Sequence, residues 1–477
     1  MPDSEKAPPY RILRKTAYLL SARWLREGLH ALFFIYLARV SATTYGEFML
    51  AMGVGSVLLL VSQFGLNIPL VSMLTPKGSD QQEALLQVSL IQTVLLGFGL
   101  LGALGFIHWQ GYAGSLRQVL LVLGAGAGLE SLSSTFFVGL QVQGRQDLEG
   151  KVRALGAGLG FGYGLAMLAL GAAPVVVAFF KLIETLVNLT GGIVLSVARA
   201  ASRWRWPSLG QLRGTLQRGL LFAVIEITAV IFSRANLFFL QRYQGTAGVG
   251  QYSVTWQLVD GIANLVSGLL LQSIMFPLFV RLWHKDRPAV SRLARNAARW
   301  LLCAALPLMF VLYVESDRLI PLIFGPQYQE AIWMQKYLVF TIVAAFLYNL
   351  AAFVMVSMEK QVLVLVFYLA GMIFNLAWCS LVIPATPLLG AVLAMVLTKV
   401  LVAVLTISYC QRRLALIPGG PLKQLAAAAL GGIALYLGAG LILPRLMAEI
   451  LALTPILALA WRWWQEEKTS LESEPGI

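Results

Sequence analysis

Residues 217–282 read QRGLLFAVIEITAVIFSRANLFFLQRYQGTAGVGQYSVTWQLVDGIANLVSGLLLQSIMFPLFVRL. Two long apolar runs fill this stretch, and Glu226, Arg234 and Asp260 interrupt them. A charge at the centre of a bilayer costs roughly 2.5–3.5 kcal/mol on insertion scales, so residues placed this way face a bundle interior or a water-filled cavity. The stretch also echoes the start of the chain. Leu37-Ala38-Arg39 leads to Gly46-Glu47-Phe48 there, and Leu240-Gln241-Arg242 leads to Gly250-Gln251-Tyr252 here. In both places one long apolar run ends and a second opens, with Pro69 or Pro277 near the close of the second. Two halves are expected, one beginning near residue 15 and the other near residue 217.

The 477-residue chain is 58% hydrophobic and 12% charged, whereas a soluble protein carries about a quarter charged residues. Apolar runs long enough to span a bilayer recur to the C-terminus, which makes this an all-α polytopic membrane protein. The runs are continuous rather than alternating, so a transmembrane β-barrel is excluded. Residues 1–15 are polar and basic, and no cleavage site follows the first apolar run, so that run is expected to stay as a helix. Cys303, Cys379 and Cys410 all fall in or at the end of apolar runs, and no metal or disulfide framework follows from them.

About fourteen spans are legible: 16–38, 46–69, 84–107, 117–140, 152–171, 174–197, 218–240, 251–278, 293–314, 331–357, 361–383, 387–409, 422–442 and 446–464. With the N-terminus inside, twenty-five of the 36 basic residues fall on inside segments and five on outside segments. The remaining six are Arg23, Arg26, Lys181, Arg234, Lys336 and Lys399, in or at the edges of spans. This asymmetry puts both termini in the cytoplasm. It also accounts for the net charge of +14 without nucleic acid. The expected organisation is a cytoplasmic segment 1–15, a first lobe 16–197, a cytoplasmic linker 198–217, a second lobe 218–409, two further helices within 410–464, and a cytoplasmic tail 465–477.

Arg23, Arg26, Glu27 and His30 fall within about a 100° arc of the first helix, a single polar stripe. Two readings are open: an anion-binding stripe at a cavity mouth, or snorkelling arginines with Glu27 as a local partner. Lys181 and Glu184, at i,i+3, can form a private ion pair. Lys399 has no acid on its own helix and requires a partner or water from elsewhere. Arg234 and Glu226 are eight residues apart, ~12 Å along a helix, too far for a simple pair. Arg23, Arg26, Lys181, Arg234 and Lys399 are therefore the candidate substrate-binding cations. Glu130, Glu226 and Asp260 are candidates for coupling to a proton or sodium gradient, since a membrane-buried carboxylate titrates with its surroundings. Gly156, Gly160 and Gly164 repeat every fourth residue and suit either tight packing or a cavity-lining face. No catalytic constellation, phosphate loop or zinc spacing is present, so no enzyme activity, metal or cofactor is expected.

Four stretches resemble one family: 34–53, FIYLARVSATTYGEFMLAMG; 232–254, FSRANLFFLQRYQGTAGVGQYSV; 273–331, which holds Pro277, Arg281, Pro307 and Phe324-Gly325-Pro326-Gln327-Tyr328; and 383–400, IPATPLLGAVLAMVLTKV. They are similar to the Wzx-like polysaccharide flippases of the multidrug/oligosaccharidyl-lipid/polysaccharide exporter superfamily, over roughly residues 12–415. The resemblance implies two six-helix lobes related as a parallel repeat, plus two C-terminal helices. It also implies a cationic cavity that passes a polyprenyl-diphosphate-linked oligosaccharide from the cytoplasmic to the outer leaflet of a bacterial inner membrane. The first helix departs from the arginine pattern of peptidoglycan-precursor flippases, which argues against lipid II as the substrate. Partners would be the lipid-linked substrate, membrane lipids and other polysaccharide-assembly proteins. The alternatives are a small-molecule exporter of the same superfamily, an integral membrane glycosyltransferase or ligase, and a non-transporting scaffold. Short outer loops argue against the enzymes, and the excess of basic over acidic residues in the spans argues against an exporter of cations.

Overall fold

Glycines and a serine set the first helix boundaries. Helix α1 (Pro9–Val40) is separated from α2 (Ala42–Gln63) by Ser41 alone. The Ser41 backbone is extended and its hydroxyl accepts the Thr44 N–H at 3.2 Å, a helix N-cap. There follow α3 (Asn67–Leu74), α4 (Gln81–Trp109), α5 (Gly114–Val142), α6 (Gln146–Ala169) and α7 (Pro174–Val197). Helices α4, α5 and α6 end alike, at Gly111, Gly144 and Gly171, with φ of 70°, 69° and 69°. The N–H after each glycine returns to the carbonyl five residues back, Tyr112 to Ile107, Arg145 to Leu140 and Ala172 to Met167, at 2.9–3.0 Å. This left-handed termination satisfies carbonyls that a helix end leaves open, and glycine adopts it without steric cost. The coordinates come from a computed structural model and describe residues 9–74, 81–197, 206–417 and 419–473.

Helix α8 (Leu209–Val266) joins two crossings through a break at Gly245, φ 66° and ψ −173°. It starts within the expected linker 198–217, whose residues 198–205 lie outside the described set. The start is fixed by α4: the Gln87 amide donates to the Gln211 carbonyl at 2.8 Å and to the Thr215 hydroxyl at 2.7 Å. Beyond α8, a π-helical turn (Ser267–Met275) runs into α9 (Phe276–Lys285). Pro277 lacks an N–H and its ring crowds the preceding turn, so the widened π turn accommodates it. Then come α10 (Arg287–Val314), α11 (Ser316–Phe324), α12 (Gln329–Leu338), α13 (Thr341–Ser357), α14 (Gln361–Val382), α15 (Pro387–Leu414), α16 (Gly419–Ala439) and α17 (Arg445–Ser473).

Eleven of the described helices are long and apolar enough to cross a membrane, and twelve if α12 and α13, bent by 45°, form one crossing. All fourteen apolar runs read from the sequence are largely helical, but 46–69 is divided between α2 and α3, 251–278 passes from α8 through the π turn into α9, and 331–357 bends between α12 and α13. The smaller number has two physical sources. Helix α8 holds two crossings that meet at the Gly245 break, and α1 is interrupted by Arg23, Arg26 and Glu27.

The chain forms two compact units, one ending at Ser253 and the other starting at Val254. In the first, α5 is the most buried crossing and packs against α2, α4 and α7. Small residues allow the approach. A methyl group built on Gly160 would lie 2.6 Å from the Phe180 carbonyl oxygen, and one on Gly164 would lie 2.9 Å from Phe180 Cβ. Span seven packs in this unit as well: methyls on Gly65 and Gly219 would meet the facing backbone at 2.8 Å and 2.5 Å. In the second unit α13 and α15 pack together, and α16 and α17 lie mainly on each other and on α10. Arg299 and Trp300 of α10 grip Glu467 of α17, the indole at 3.2 Å.

Candidate functional site

The first unit builds a ring of four charged side chains. Arg26 comes from α1, Glu130 from α5, and Lys181 and Glu184 from one turn of α7. Arg26 Nε donates to Glu184 Oε1 at 2.6 Å and Nη2 to Glu130 Oε1 at 2.7 Å. Lys181 Nζ donates to Glu130 Oε2 at 2.6 Å and to Glu184 Oε2 at 3.1 Å. Each carboxylate thus gives one oxygen to each cation, and the ring is formally neutral. Lys181 and Glu184 are buried, while the Arg26 and Glu130 side chains keep 15% and 18% of their surface open. The ring therefore has a closed edge and an accessible edge.

The surroundings hold this geometry. Gly160 brings α6 so close that a methyl there would lie 2.8 Å from Glu184 Cβ, and Gly126 lets α5 reach the Lys181 stem. His30, one turn beyond Arg26, lies 3.7 Å from Glu184 Oε2, and its ring meets Phe161 edge-on at 4.2 Å. Its buried Nε2 makes no hydrogen bond among the described residues. Phe33, Phe161 and Phe180 close the apolar side, with centroids 4.4–5.8 Å apart. In such a setting, removing one partner of an ion pair costs about 3–5 kcal/mol, because its mate is left charged and unpaired.

Among the described residues the second unit holds one buried pair: Lys399 of α15 donates to Asp260 of α8. Their side chains are 3% and 10% exposed. The lysine has found the acid its own helix lacks. Beside it on α15, Thr398 accepts from the Asn375 amide of α14 at 3.0 Å, which fixes the register of these two helices.

The structure thus unites Arg26, Lys181 and Glu130 in one ring with Glu184, and pairs Lys399 with Asp260. Arg234 and Glu226 lie on the first half of α8, partly buried and exposed respectively. Arg23 lies on α1, but its side chain is outside the described residues. Sequence reasoning missed a third cluster, at the start of α6. Buried Glu149 accepts from Arg153 at 2.9 Å and from Gln141 at 3.0 Å, and the Arg153 guanidinium covers the Phe137 ring at 4.3 Å. The i,i+4 spacing of Glu149 and Arg153 was its visible trace. Among the described residues no group of three or more His, Cys, Asp or Glu side chains is placed to hold a metal ion.

What these arrangements offer chemically is exchange. A cation held by carboxylates in a low-dielectric site can release them for another oxyanion, and a diphosphate presents acceptors suited to Arg and Lys. A carboxylate so released can take up a proton or a cation.

The sequence profile of a family described as polysaccharide biosynthesis protein matches residues 36–333. Among curated proteins, none matches the chain. Solved structures share its fold. The lipid II flippase MurJ in an inward closed conformation superposes with a TM-score of 0.74 at 11% identity, covering 94% of this chain and 99% of that one. An inward-facing multidrug resistance MATE family transporter of the MOP superfamily gives 0.65 at 15% identity, over 84% and 98%. A MOP superfamily transporter from Pyrococcus furiosus gives 0.59 at 12% identity, over 85% and 95%.

Proposed function

This chain belongs to the polysaccharide biosynthesis protein family, and on that premise we propose that it is a flippase for a polyprenyl-diphosphate-linked oligosaccharide. It carries the headgroup from the cytoplasmic to the outer leaflet of a bacterial inner membrane, with both termini in the cytoplasm. The observation that carries the reading is the coincidence of that family match with a fold shared over 94% of the chain with a lipid II flippase. A glycan and a diphosphate cannot cross hydrocarbon unaided, because their polar groups and charges would lose water without replacement. A protein that supplies cations along the path removes that barrier while the lipid tail stays in the bilayer.

In this reading 16–197 and 218–409 are the two six-helix lobes whose alternation moves the substrate. Arg23, Arg26, Lys181, Arg234 and Lys399 are the cations available to the diphosphate. At rest, Glu130, Glu184 and Asp260 occupy three of them. Substrate phosphate exchanges with those carboxylates, and a carboxylate set free takes the coupling ion, a proton or sodium. Glu226 is the further candidate for that role. Binding and coupling are then two sides of one competition, and a ligand drives a conformational switch only through such a difference between states.

The test is translocation by the purified protein in sealed vesicles carrying a fluorescent polyprenyl-diphosphate oligosaccharide. Protein-dependent movement of the label to the opposite leaflet is expected, and Arg26→Ala and Lys399→Ala should each slow it at least ~tenfold. Vesicles holding folded protein that move no label, but expel an organic cation against a proton gradient, would reassign the chain to small-molecule export.

A further inference from the structure

A cavity of about 500 Å³ opens in the first unit between the turn after α4 and the end of α8 before Gly245. Trp109, Gln110, Tyr112, Leu116, Gln241 and Arg242 line it. Helix α4 is the third crossing and the first half of α8 the seventh, so their ends emerge on one membrane face. The charge asymmetry of the loops makes that face the outer one. The cavity has the volume of a small-molecule site. None of the four residues of the charged ring lines it.

Its walls are built rather than accidental. Phe106 supports two lining aromatics, its ring centroid 6.2 Å from both Trp109 and Tyr112, and it meets Phe238 of α8 edge-on at 5.3 Å. Trp109 is 74% exposed at the lip, a broad ring open to a ligand. Tyr112 is 8% exposed and its buried hydroxyl makes no hydrogen bond among the described residues. Burial pushes that phenol up to about 12, so it remains a proton donor across ordinary pH. Gln110 and Gln241 make no side-chain hydrogen bond, and Arg242 makes no ion pair, among the described residues. An unmade hydrogen bond at a buried group is costly, so a hydroxyl left without a partner beside a cavity points to a ligand that supplies one.

The chemistry of the lining selects the ligand. A pyranose has a C–H face that lies on an aromatic ring and a rim of hydroxyls that bond to planar amides. A guanidinium adds paired donors for an oxyanion. We infer that this cavity is an outer-face binding site for a sugar bearing an anionic group, its ring against Trp109, its hydroxyls on Gln110 and Gln241, and its anion on Arg242. The inference rests on the flippase reading only for the source of the sugar. That source is either a uronic acid within the translocated glycan or the phosphorylated sugar next to the lipid carrier. In both cases the site would take the headgroup as it arrives outside and hinder its return.

Titration calorimetry on the full-length protein in detergent tests this with a glucuronic-acid-containing disaccharide, glucose 1-phosphate, maltose and glycerol 3-phosphate. Saturable binding of one or both acidic sugars is expected, with maltose about tenfold weaker, a difference of about 1.4 kcal/mol. Trp109→Ala and Arg242→Ala, both at exposed positions, should each weaken the acidic sugar at least ~tenfold, and Arg242→Ala should leave maltose unchanged. Binding of the disaccharide alone assigns the glycan as the source, and binding of the sugar phosphate alone assigns the carrier end. The inference is overturned if no sugar binds, if both variants bind as wild type does, or if glycerol 3-phosphate binds as tightly as the sugars. Vesicles that translocate lipid-linked substrate while no sugar binds the pure protein overturn the cavity and spare the transport reading. Sugar binding abolished by both variants, in a protein that translocates nothing, upholds the cavity and removes the transport reading.

Discussion

Lys399 and Asp260 show what a membrane-buried pair demands. Removing the ammonium leaves a carboxylate with little water and no cation, at about 3–5 kcal/mol. Lys399→Ala should therefore lower the thermal midpoint in detergent, and Lys399→Ala with Asp260→Ala should recover most of that loss. Lys399→Arg should hold both stability and translocation better than Lys399→Glu, which sets two acids together. If the double variant regains stability and also translocates like wild type, the pair is structural and Lys399 leaves the list of substrate cations. The same residues show where sequence reasoning stops. Lys181 and Glu184 are one turn apart, so their pairing is legible from spacing alone. Asp260 is 139 residues from Lys399, and Glu130 and Glu184 are 104 and 158 residues from Arg26. Hydrophobicity reveals that each buried charge needs a partner, but only the fold decides which one it meets.

At the scale of the helix, α6 provides its own control. Gly160 faces α7, where a new methyl would lie 2.6 Å from a backbone oxygen that cannot move aside. Gly158 has nothing within 4 Å of the same methyl. Gly160→Ala should destabilise by about 1–3 kcal/mol, as overpacking does, and should disturb Glu184 and hence translocation. Gly158→Ala should be neutral or stabilise by up to ~1 kcal/mol, because alanine restricts the unfolded chain more than glycine. Equal thermal midpoints for the two variants would refute the packing role assigned to the Gly156–Gly160–Gly164 face. A second element-level tie joins α11 to α17, where Arg445 grips Asp317 with two hydrogen bonds at 2.6 and 2.8 Å. Those bonds hold the Asp317 carboxyl down to about 2, from an ordinary 3.8. A lowered folded-state value stabilises above the unfolded one, so the tie is fully present above pH ~4 and is lost as pH falls towards ~2. The small difference in thermal midpoint between wild type and Asp317→Asn should accordingly be constant from pH 5 to 7 and vanish by pH ~2. Helices themselves were easy to read, since every apolar run became largely helical. The π turn at Ser267–Met275 and the confinement of the α8 break to the single residue Gly245 were not, because they depend on how neighbouring backbones pack.

At the scale of the whole chain, the sequence echo becomes a contact. A methyl on Gly46 would lie 1.8 Å from the Thr246 carbonyl oxygen, and one on Gly250 would lie 2.4 Å from the Ala42 carbonyl oxygen. Both approaches lie within the first unit and bring the start of α2 and the helix after Gly245 backbone to backbone. A parallel repeat would run the first and seventh crossings in the same direction, with an even number of crossings before the seventh. Inside and outside then follow from the basic loops alone. The three native cysteines are buried and can be replaced to give a silent background. Single cysteines at Ser208 and Lys360, both exposed, should be shielded from an impermeant thiol reagent in sealed cells and should react after permeabilisation. Cysteines at the exposed positions Gln244 and Gln327 should react in sealed cells. Labelling of Ser208→Cys but not Gln244→Cys in sealed cells would invert the orientation and move the cavity beside Arg242 to the cytoplasmic face. Labelling of both, or of neither, would mean that no single crossing separates them, and the parallel repeat would fall with it.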